Sequence, residues 1–508
     1  MEGNRQSTPP IVEGKVVAQS IGLQMAPSHP AEVISITLIF CLNVYRAIEQ
    51  SVVHDEAWTY LQFVAQPWRS TFSSYDANNH VLHTLLVKLS CGFLGSSPLP
   101  LRLPSLLAGL AFTMIALRLC KMLTSSRTLA MLAFLSLTLN PMILDYLSLA
   151  RGYSLALATF AYGLLEAFTL VTSEGPRRRH YLGLGASLGL SISANLTFLF
   201  PAAGIFLALA LLAGLRYWKA TEAARVWLDL VRYSAITFVV IAGPILYAPL
   251  SHARMVNFYY GSKTFLASII SVVGGSLNYG SDVLVSPLVF AVLAVLVVAA
   301  VSSAMLLARK NGKSGPQTAQ ALFLVLQWTI NFAVLLLVGT HRIFGVLYPA
   351  GRTGLYLAPC FTLVCLSLIN LSAESRHRYW RYAAAVAFVV VMVQFVSRLS
   401  VTYYDTWRYD ATTNRAFDVI RIMALGHPER KSRIGCSWLY APALEFYRRI
   451  NDVQNIEPIQ YVVPTPLSGH DFYVLAGGDR TAARSTGLIE VAHYDLSDTT
   501  VLVSPHSP

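Results

Sequence analysis

His54-Asp55-Glu56 places an imidazole and two adjacent carboxylates directly after an apolar run, and Asn78-Asn79-His80 with His83 forms a second polar knot a short way on. Carboxylates gathered with such groups are candidates for catalytic work, above all for moving a proton. The plainer alternative is an acid pair that caps the helix after it, which accounts for one carboxylate better than for the whole cluster. His80 and His83 lie one helical turn apart. With Asp55 or Glu56 they could make a mixed His/carboxylate site for a divalent metal cation, although nothing in the spacing singles out a metal. Hydrogen bonding of a substrate by His80 and packing by His83 are the other readings.

A second cluster, "LDYLSLARGYSLALA", holds Asp145 and Arg151 at the edges of apolar helices, where desolvation is costly and ionisable residues tend to be functional. The two could simply pair with each other. Arg151, with Gly152 and Tyr153 beside it, also suits a phosphate held through a charge-assisted fork. A third cluster, "HRIFGVLYPAGRTGLYLAPC", brings His341, Arg342, Tyr348, Arg352 and Tyr356 together with Gly351 and Gly354, which permit close backbone approach. Arg352 could equally anchor a helix end among lipid headgroups. The stretch 252–285 adds Arg254, Tyr259, Tyr260 and Lys263. Asn79, His80, Asp145, Arg151, Tyr153, Tyr348, Arg352 and Tyr356 are therefore the substrate-binding candidates.

The elements that position these residues are set by composition. Over 508 residues the chain is 55% hydrophobic and 13% charged, with a mean hydropathy of +0.52. That marks an α-helical polytopic membrane protein. The net charge of +12 sits mostly in short basic clusters between apolar runs, a matter of topology and not of nucleic-acid binding. Runs long enough to cross a bilayer lie near 32–52, 101–122, 128–147, 153–172, 181–194, 196–215, 233–251, 286–308, 318–339, 354–372 and 382–401, which predicts about eleven transmembrane helices.

Arg118/Lys121/Arg127, Arg177/Arg178/Arg179, Arg216/Lys219/Arg225/Arg232, Arg309/Lys310/Lys313 and Arg376/Arg378/Arg381 all fall on one side of that topology. The positive-inside rule puts them in the cytoplasm and puts 53–100 and the C-terminal stretch outside it. Residues 1–31 read as a flexible cytoplasmic arm, 32–401 as the transmembrane domain with interfacial helices in 53–100, and 402–508 as a small extracytoplasmic α/β domain. In the last, "RIGCSWLYAPALEFYRRI" reads as strand then helix, and "DFYVLAGG" and "TTVLVSP" as further strands. The six cysteines form neither a disulfide framework nor a zinc signature.

In order and common side, "HDEAWTY", "NNHVLHTLL", "LPLRLPSLLAGL", "ARGYSLALA", "YPAGRTGLYLAP" and "YYDTWRYDATTNRAFDVI" resemble the GT-C superfamily of membrane glycosyltransferases, which includes protein O-mannosyltransferases and the aminoarabinose transferase of lipid A. The resemblance spans about residues 32–420. It implies a sugar donor on a polyprenyl phosphate, an acceptor hydroxyl on an envelope lipid, glycan or protein, and an acid of the first outer loop that serves as base or binds the acceptor. On this sequence Asp55 would be the base and Glu56 its helper, with Arg151 and Arg352 on the leaving phosphate and Tyr153 and Tyr356 as hydrogen-bond donors. Membrane lipids are the surroundings, and a divalent cation remains an alternative source of positive charge. The rival from another class is a transporter or flippase of a lipid-linked saccharide, which would favour charges near the midplane and repeated halves.

Overall fold

The computed structural model describes residues 29–173, 175, 177–215, 220–254, 257–258, 260–278, 285–308, 318–373, 378–426, 430–459, 467–479 and 487–505. Most of the expected N-terminal arm, Tyr259, and the basic residues Arg216, Lys219, Arg309, Lys310, Lys313 and Arg376 lie outside them.

Each expected apolar run is helical, but the expected count of eleven crossings is not confirmed. Among the described residues, eight helices are long and apolar enough to cross a membrane, or nine if Arg127–Thr138 and Pro141–Ser148, bent by 64° against each other, form one broken span. The protein is thus multi-pass. The bend falls where Pro141 opens a new helix and Asn140 caps it, its Oδ1 accepting from the Ile143 amide at 3.2 Å. The two other runs that fall short give helices of 17 residues each, Arg178–Ala194 and Leu357–Ala373. The first packs through small residues: a Cβ on Gly185 would lie 2.2 Å from the Ser234 carbonyl oxygen, so backbones meet there.

After the first membrane helix, Pro30–Glu49, the chain makes a short helix, His54–Thr59, that widens into a π-helical turn, Tyr60–Val64. A 3₁₀ turn, Trp68–Phe72, and the helix Val81–Leu94 come next. The first of these segments packs on the C-terminal domain. Tyr60, Leu61 and Val64 are buried in a second core cluster shared with the C-terminal residues Tyr440, Leu444 and Phe446. Tyr60 meets Phe446 edge to face at 5.0 Å. Each such side chain contributes about 1.5–3 kcal/mol through burial, enough to fix the loop against the C-terminal sheet.

That sheet contains β1 (Ile434–Cys436), β2 (Phe472–Ala476), β3 (Ile489–Tyr494) and β4 (Thr499–Val503) in the order β1-β2-β4-β3. β1 and β2 are parallel and the other pairs antiparallel. The strands expected from "RIGC", "DFYVLA" and "TTVLV" are present, and β3 is an addition. The helix Ala441–Ile450 links β1 towards β2 and carries Glu445, whose carboxylate accepts from Arg448 at 2.7 Å, Arg449 at 2.8 Å and the Ile459 amide at 3.1 Å. Burial pushes this carboxyl up, but the two arginines and the amide outweigh it and hold it below its ordinary value. A depressed carboxyl stabilises the fold above its ordinary range and loses that contribution as pH falls through its folded value. Glu445→Gln is therefore expected to cost on the order of 2 kcal/mol at neutral pH, read as faster hydrogen exchange in β2 and β4, with variant and wild type converging as pH falls below the ordinary carboxyl range.

Candidate active site

Glu56 and Arg102 are both fully buried and make the strongest anchor of the first loop. Arg102 grips both carboxylate oxygens, Nε to Oε1 at 2.9 Å and Nη2 to Oε2 at 2.6 Å. Its remaining donors reach the carbonyls of Ala47 at 3.0 Å, Gln50 at 2.7 Å and Ser51 at 2.8 Å, where the first membrane helix ends. Glu56 also accepts from the amides of Val53 at 3.1 Å and Ala150 at 2.5 Å. With four donors on two oxygens, Glu56 is engaged in holding the loop, which departs from its expected place as a catalytic helper.

Neighbouring residues of a helix point about 100° apart, so fixing Glu56 inward sends Asp55 elsewhere. Asp55 Oδ2 lies 3.5 Å from Arg151 Nη2 and 3.4 Å from Arg352 Nη2. Burial alone would raise its pKa, but the two guanidinium groups overcome this and hold the carboxyl below its ordinary value. Arg151 also donates to Asn78 Oδ1 at 3.0 Å, while its buried Nε and Nη1 have no hydrogen-bond partner. Gly152 next to it is required by space, since a Cβ there would fall 1.9 Å from the Ala194 carbonyl oxygen. Arg352 lies between two rings, 4.7 Å from the centroid of Tyr260 and 5.1 Å from that of Trp407.

The knot "YDANNH" folds back onto the His54–Thr59 helix: Trp58 donates to Asp76 at 3.2 Å and Thr59 to the Asn78 carbonyl at 3.2 Å. Asn79 is tied to Thr71 and Thr84. His80 contacts the Tyr153 ring edge-on at 5.4 Å and has a buried, unpartnered Nε2. Burial first, then Arg151, push its pKa well below the usual histidine value, so the ring is neutral. His83 is hydrogen-bonded to Ser105 Oγ at 2.9 Å and is pushed down to about 3 by burial and Arg151. A cavity of about 420 Å³ opens beside this group. Asn79, His80, Tyr153 and Tyr260 line its polar end, and Ile192, Leu196, Phe200, Leu246 and Leu337 much of the rest.

Asp145 pairs with Arg46, not with Arg151 as its loop position suggests, and accepts from the Asp405 amide at 3.3 Å. Tyr356 is buried against Phe198 with its hydroxyl unpartnered, and Tyr348 is stacked on His341 at 4.2 Å, its backbone paired with Ser262. The set Asp55, Glu56, His80 and His83 does not converge as a metal site: Glu56 is saturated, His83 is bound to Ser105, and Asp55 faces two guanidinium groups. Among the described residues no three His, Cys, Asp or Glu side chains group as metal ligands.

Arg102, Trp407 and Asp410 are the residues that sequence reasoning missed. Asp410 is fully buried, takes the His54 amide at 2.6 Å and the Thr413 hydroxyl at 3.0 Å, and is pushed well above the usual carboxyl range by burial. The string "YYDTWRYD" flags this segment only by resemblance. The roles of the anchor and of Asp55 separate experimentally. Glu56→Gln leaves Arg102 buried without its counter-charge, and is expected to cost about 3–5 kcal/mol and most of the folded yield. Asp55→Asn removes the counter-charge of Arg151 and Arg352 at longer, single approaches of 3.5 and 3.4 Å, and so is expected to cost less than Glu56→Gln and to retain a monodisperse peak in size-exclusion chromatography.

No family model matches the chain, and no curated protein matches it in sequence. Among solved structures it is similar to ArnT from Cupriavidus metallidurans bound to undecaprenyl phosphate, at 16% identity and a TM-score of 0.46, covering 92% of this chain and 97% of that one. It is also similar to the arabinofuranosyltransferase AftD from Mycobacteria, at 14% identity and a TM-score of 0.46, covering 95% of this chain and 40% of that one. A third is the archaeal oligosaccharyltransferase AglB from Archaeoglobus fulgidus in complex with an inhibitory peptide and a dolichol-phosphate, at 12% identity and a TM-score of 0.45, covering 94% of this chain and 74% of that one.

Proposed function

We propose that this protein is a membrane glycosyltransferase that moves a sugar from a polyprenyl-phosphate donor to a hydroxyl of an envelope lipid, glycan or protein. The observation that carries the reading is a buried carboxylate flanked by two arginines, one with unpartnered donors, beside a largely apolar cavity. Asp55, Arg151 and Arg352 together sum to one positive charge, which complements the single negative charge of a phosphodiester. The apolar side of the cavity suits an isoprenoid chain, and Asn79, His80 and Tyr153 suit sugar hydroxyls. The basic-loop pattern supports a site on the outer face of the cytoplasmic membrane. Nucleotide sugars are absent from that face, so a lipid must carry the sugar.

In the reaction the acceptor oxygen attacks the anomeric carbon from the side opposite the phosphate, so the configuration inverts. The bond from that carbon to the phosphate oxygen breaks, and its electron pair leaves with the polyprenyl phosphate. The acceptor proton goes to Asp55. The leaving phosphate gains a second negative charge as the bond breaks, so Arg151 and Arg352 bind it more strongly in the transition state than in the ground state. Glu56 acts at one remove, by holding the loop.

Sugar transfer by the purified protein from a polyprenyl-phosphate donor is the direct test. Asp55→Asn is expected to lower transfer roughly 10³-fold with donor binding retained; near-normal transfer by that variant removes Asp55 as the base. Arg352→Ala should reduce transfer by about 10²-fold and weaken donor use, whereas unchanged donor dependence returns Arg352 to a helix anchor. Because two guanidinium groups supply the positive charge, EDTA should leave the rate unchanged; a loss restored by a divalent cation overturns that assignment. Mass spectrometry of envelope lipids and glycans from cells with and without the protein identifies the sugar and acceptor together.

A further inference from the structure

The helix Arg178–Ala194 ends at Asn195, and a 3₁₀ turn, Leu196–Phe198, leads from it into the next membrane helix, Leu199–Gly214. Asparagine suits such a break because its side chain can cap the turn that follows. Here Oδ1 accepts from the Thr197 amide at 3.1 Å and from the Thr197 hydroxyl at 2.8 Å. The Thr197 amide can only donate, so it fixes which end of the Asn195 side chain is the oxygen. The Nδ2 end has no hydrogen-bond partner, although Asn195 is only 3% exposed and lines the cavity beside the site.

Gly152 ties this residue to the site. A Cβ there would fall 1.9 Å from the Ala194 carbonyl oxygen and 2.7 Å from the His80 Cβ, so the turn after Arg151 packs against both segments. His80 lines the same cavity, and its Nε2 is a second buried group without a partner. Among the described residues that line the cavity there is no lysine or arginine, and Asp76 is the sole acid. Both oxygens of Asp76 are engaged, Oδ1 by the Asn78 amide at 2.7 Å and Oδ2 by the Trp58 indole at 3.2 Å. The polar groups left to meet a ligand there are uncharged.

We propose that Asn195 determines which donor sugar is accepted: Nδ2 donates to an oxygen substituent of a neutral sugar, beside His80 Nε2, and so refuses an ammonium group at that ring position. The inference deepens the transferase reading and rests on it. An amide NH2 offers two protons and no lone pair. A sugar hydroxyl can accept from it and also share a hydrogen bond with the His80 ring. An ammonium has donors only, so it would leave Nδ2 buried and unmet while giving up its own water. Sites that hydrogen-bond a substrate oxygen discriminate strongly for this reason. Because the Arg151–Gly152 turn packs on both segments, a phosphate at Arg151 delivers its sugar to this end of the cavity.

Asn195→Asp keeps the oxygen that caps Thr197 and exchanges the amide donor for an acceptor. The probes are polyprenyl-phosphate donors bearing glucose, mannose or arabinose, with the monoamino analogues of each, used at about pH 6, where an amine is charged. In the full-length wild type, one ring position should prefer hydroxyl over ammonium by about 10²-fold in kcat/KM. In Asn195→Asp that ratio should fall by about tenfold or more, with the preferences at other positions unchanged. A residue that only caps the turn would lower transfer from every donor alike and leave the ratio where it was. That result overturns the proposal, as does a wild type that takes amino sugars equally well at every position.

Equilibrium binding of the same lipids, compared with sugar-free polyprenyl phosphate, separates the proposal from the reading beneath it. If the variant shifts the hydroxyl-to-ammonium binding ratio while the wild type transfers no sugar, Asn195 reads sugars and the transferase reading falls. If transfer proceeds and neither ratio moves, the transferase reading stands and Asn195 is a cap alone. If neither ratio moves and no sugar is transferred, both fall.

Discussion

Arg102 and Glu56 are both out of contact with solvent, and the desolvation of two such charges is tolerable only if their donors and acceptors are nearly all met. They are met by the ends of three segments: the carbonyls of Ala47, Gln50 and Ser51 at the end of the first membrane helix, the Val53 amide before the loop helix, and the Ala150 amide just before Arg151. The pair therefore fixes more than its own geometry. It sets the rotation of the His54–Thr59 helix and the place where the Arg151 turn meets it. Asp55 and Arg151 face each other because the residue next to each is bound to the same ion pair.

This placement puts Asp55 under a tension that a donor can release. Two guanidinium groups keep it ionised, and for that reason also keep it a weak base. A base is useful only if its affinity for a proton rises when the acceptor hydroxyl begins to lose one. In the proposed reaction that rise is built in: as the phosphate leaves and its charge grows, Arg151 and Arg352 are drawn towards it, and their hold on Asp55 weakens. Bond breaking at the phosphate and proton transfer at the carboxylate are then coupled through the same two arginines.

Much of this site was legible in the sequence as types of residue in apolar surroundings. Asp55, Arg151, Arg352 and His80 stand out because charges and polar rings are scarce in so hydrophobic a chain. Their pairing was not legible. Adjacent Asp55 and Glu56 are alike on paper but lie in different surroundings, decided by an arginine 46 residues beyond Glu56 that binds Glu56 alone of the two. Asp145 and Arg151 share a loop, yet Asp145 pairs with Arg46. Hydropathy located the long apolar helices but missed the short apolar helix Phe265–Val273 in the 252–285 stretch, and it could not foresee that the run at 181–194 forms a helix of 17 residues packed through glycines. β3 escaped because Glu490 and His493 dilute its apolar signal, and a bulge between Glu490 and Ala492 breaks its alternation.

The C-terminal domain and its connector reach the loop that carries Asp55 directly. Val52 donates to the Tyr447 hydroxyl at 2.7 Å, His54 Nδ1 to the Leu439 carbonyl at 2.8 Å, and the His54 amide to Asp410 at 2.6 Å. These bonds grip the residues on the N-terminal side of Asp55, while Arg102 grips the one on its C-terminal side. A carboxylate beside two arginines would gain Coulomb energy by closing onto either of them, and a free loop would allow it. Bracing from both sides is what makes the open arrangement stable, so the sheet and its connector belong to the same mechanical unit as the membrane helices that carry the arginines.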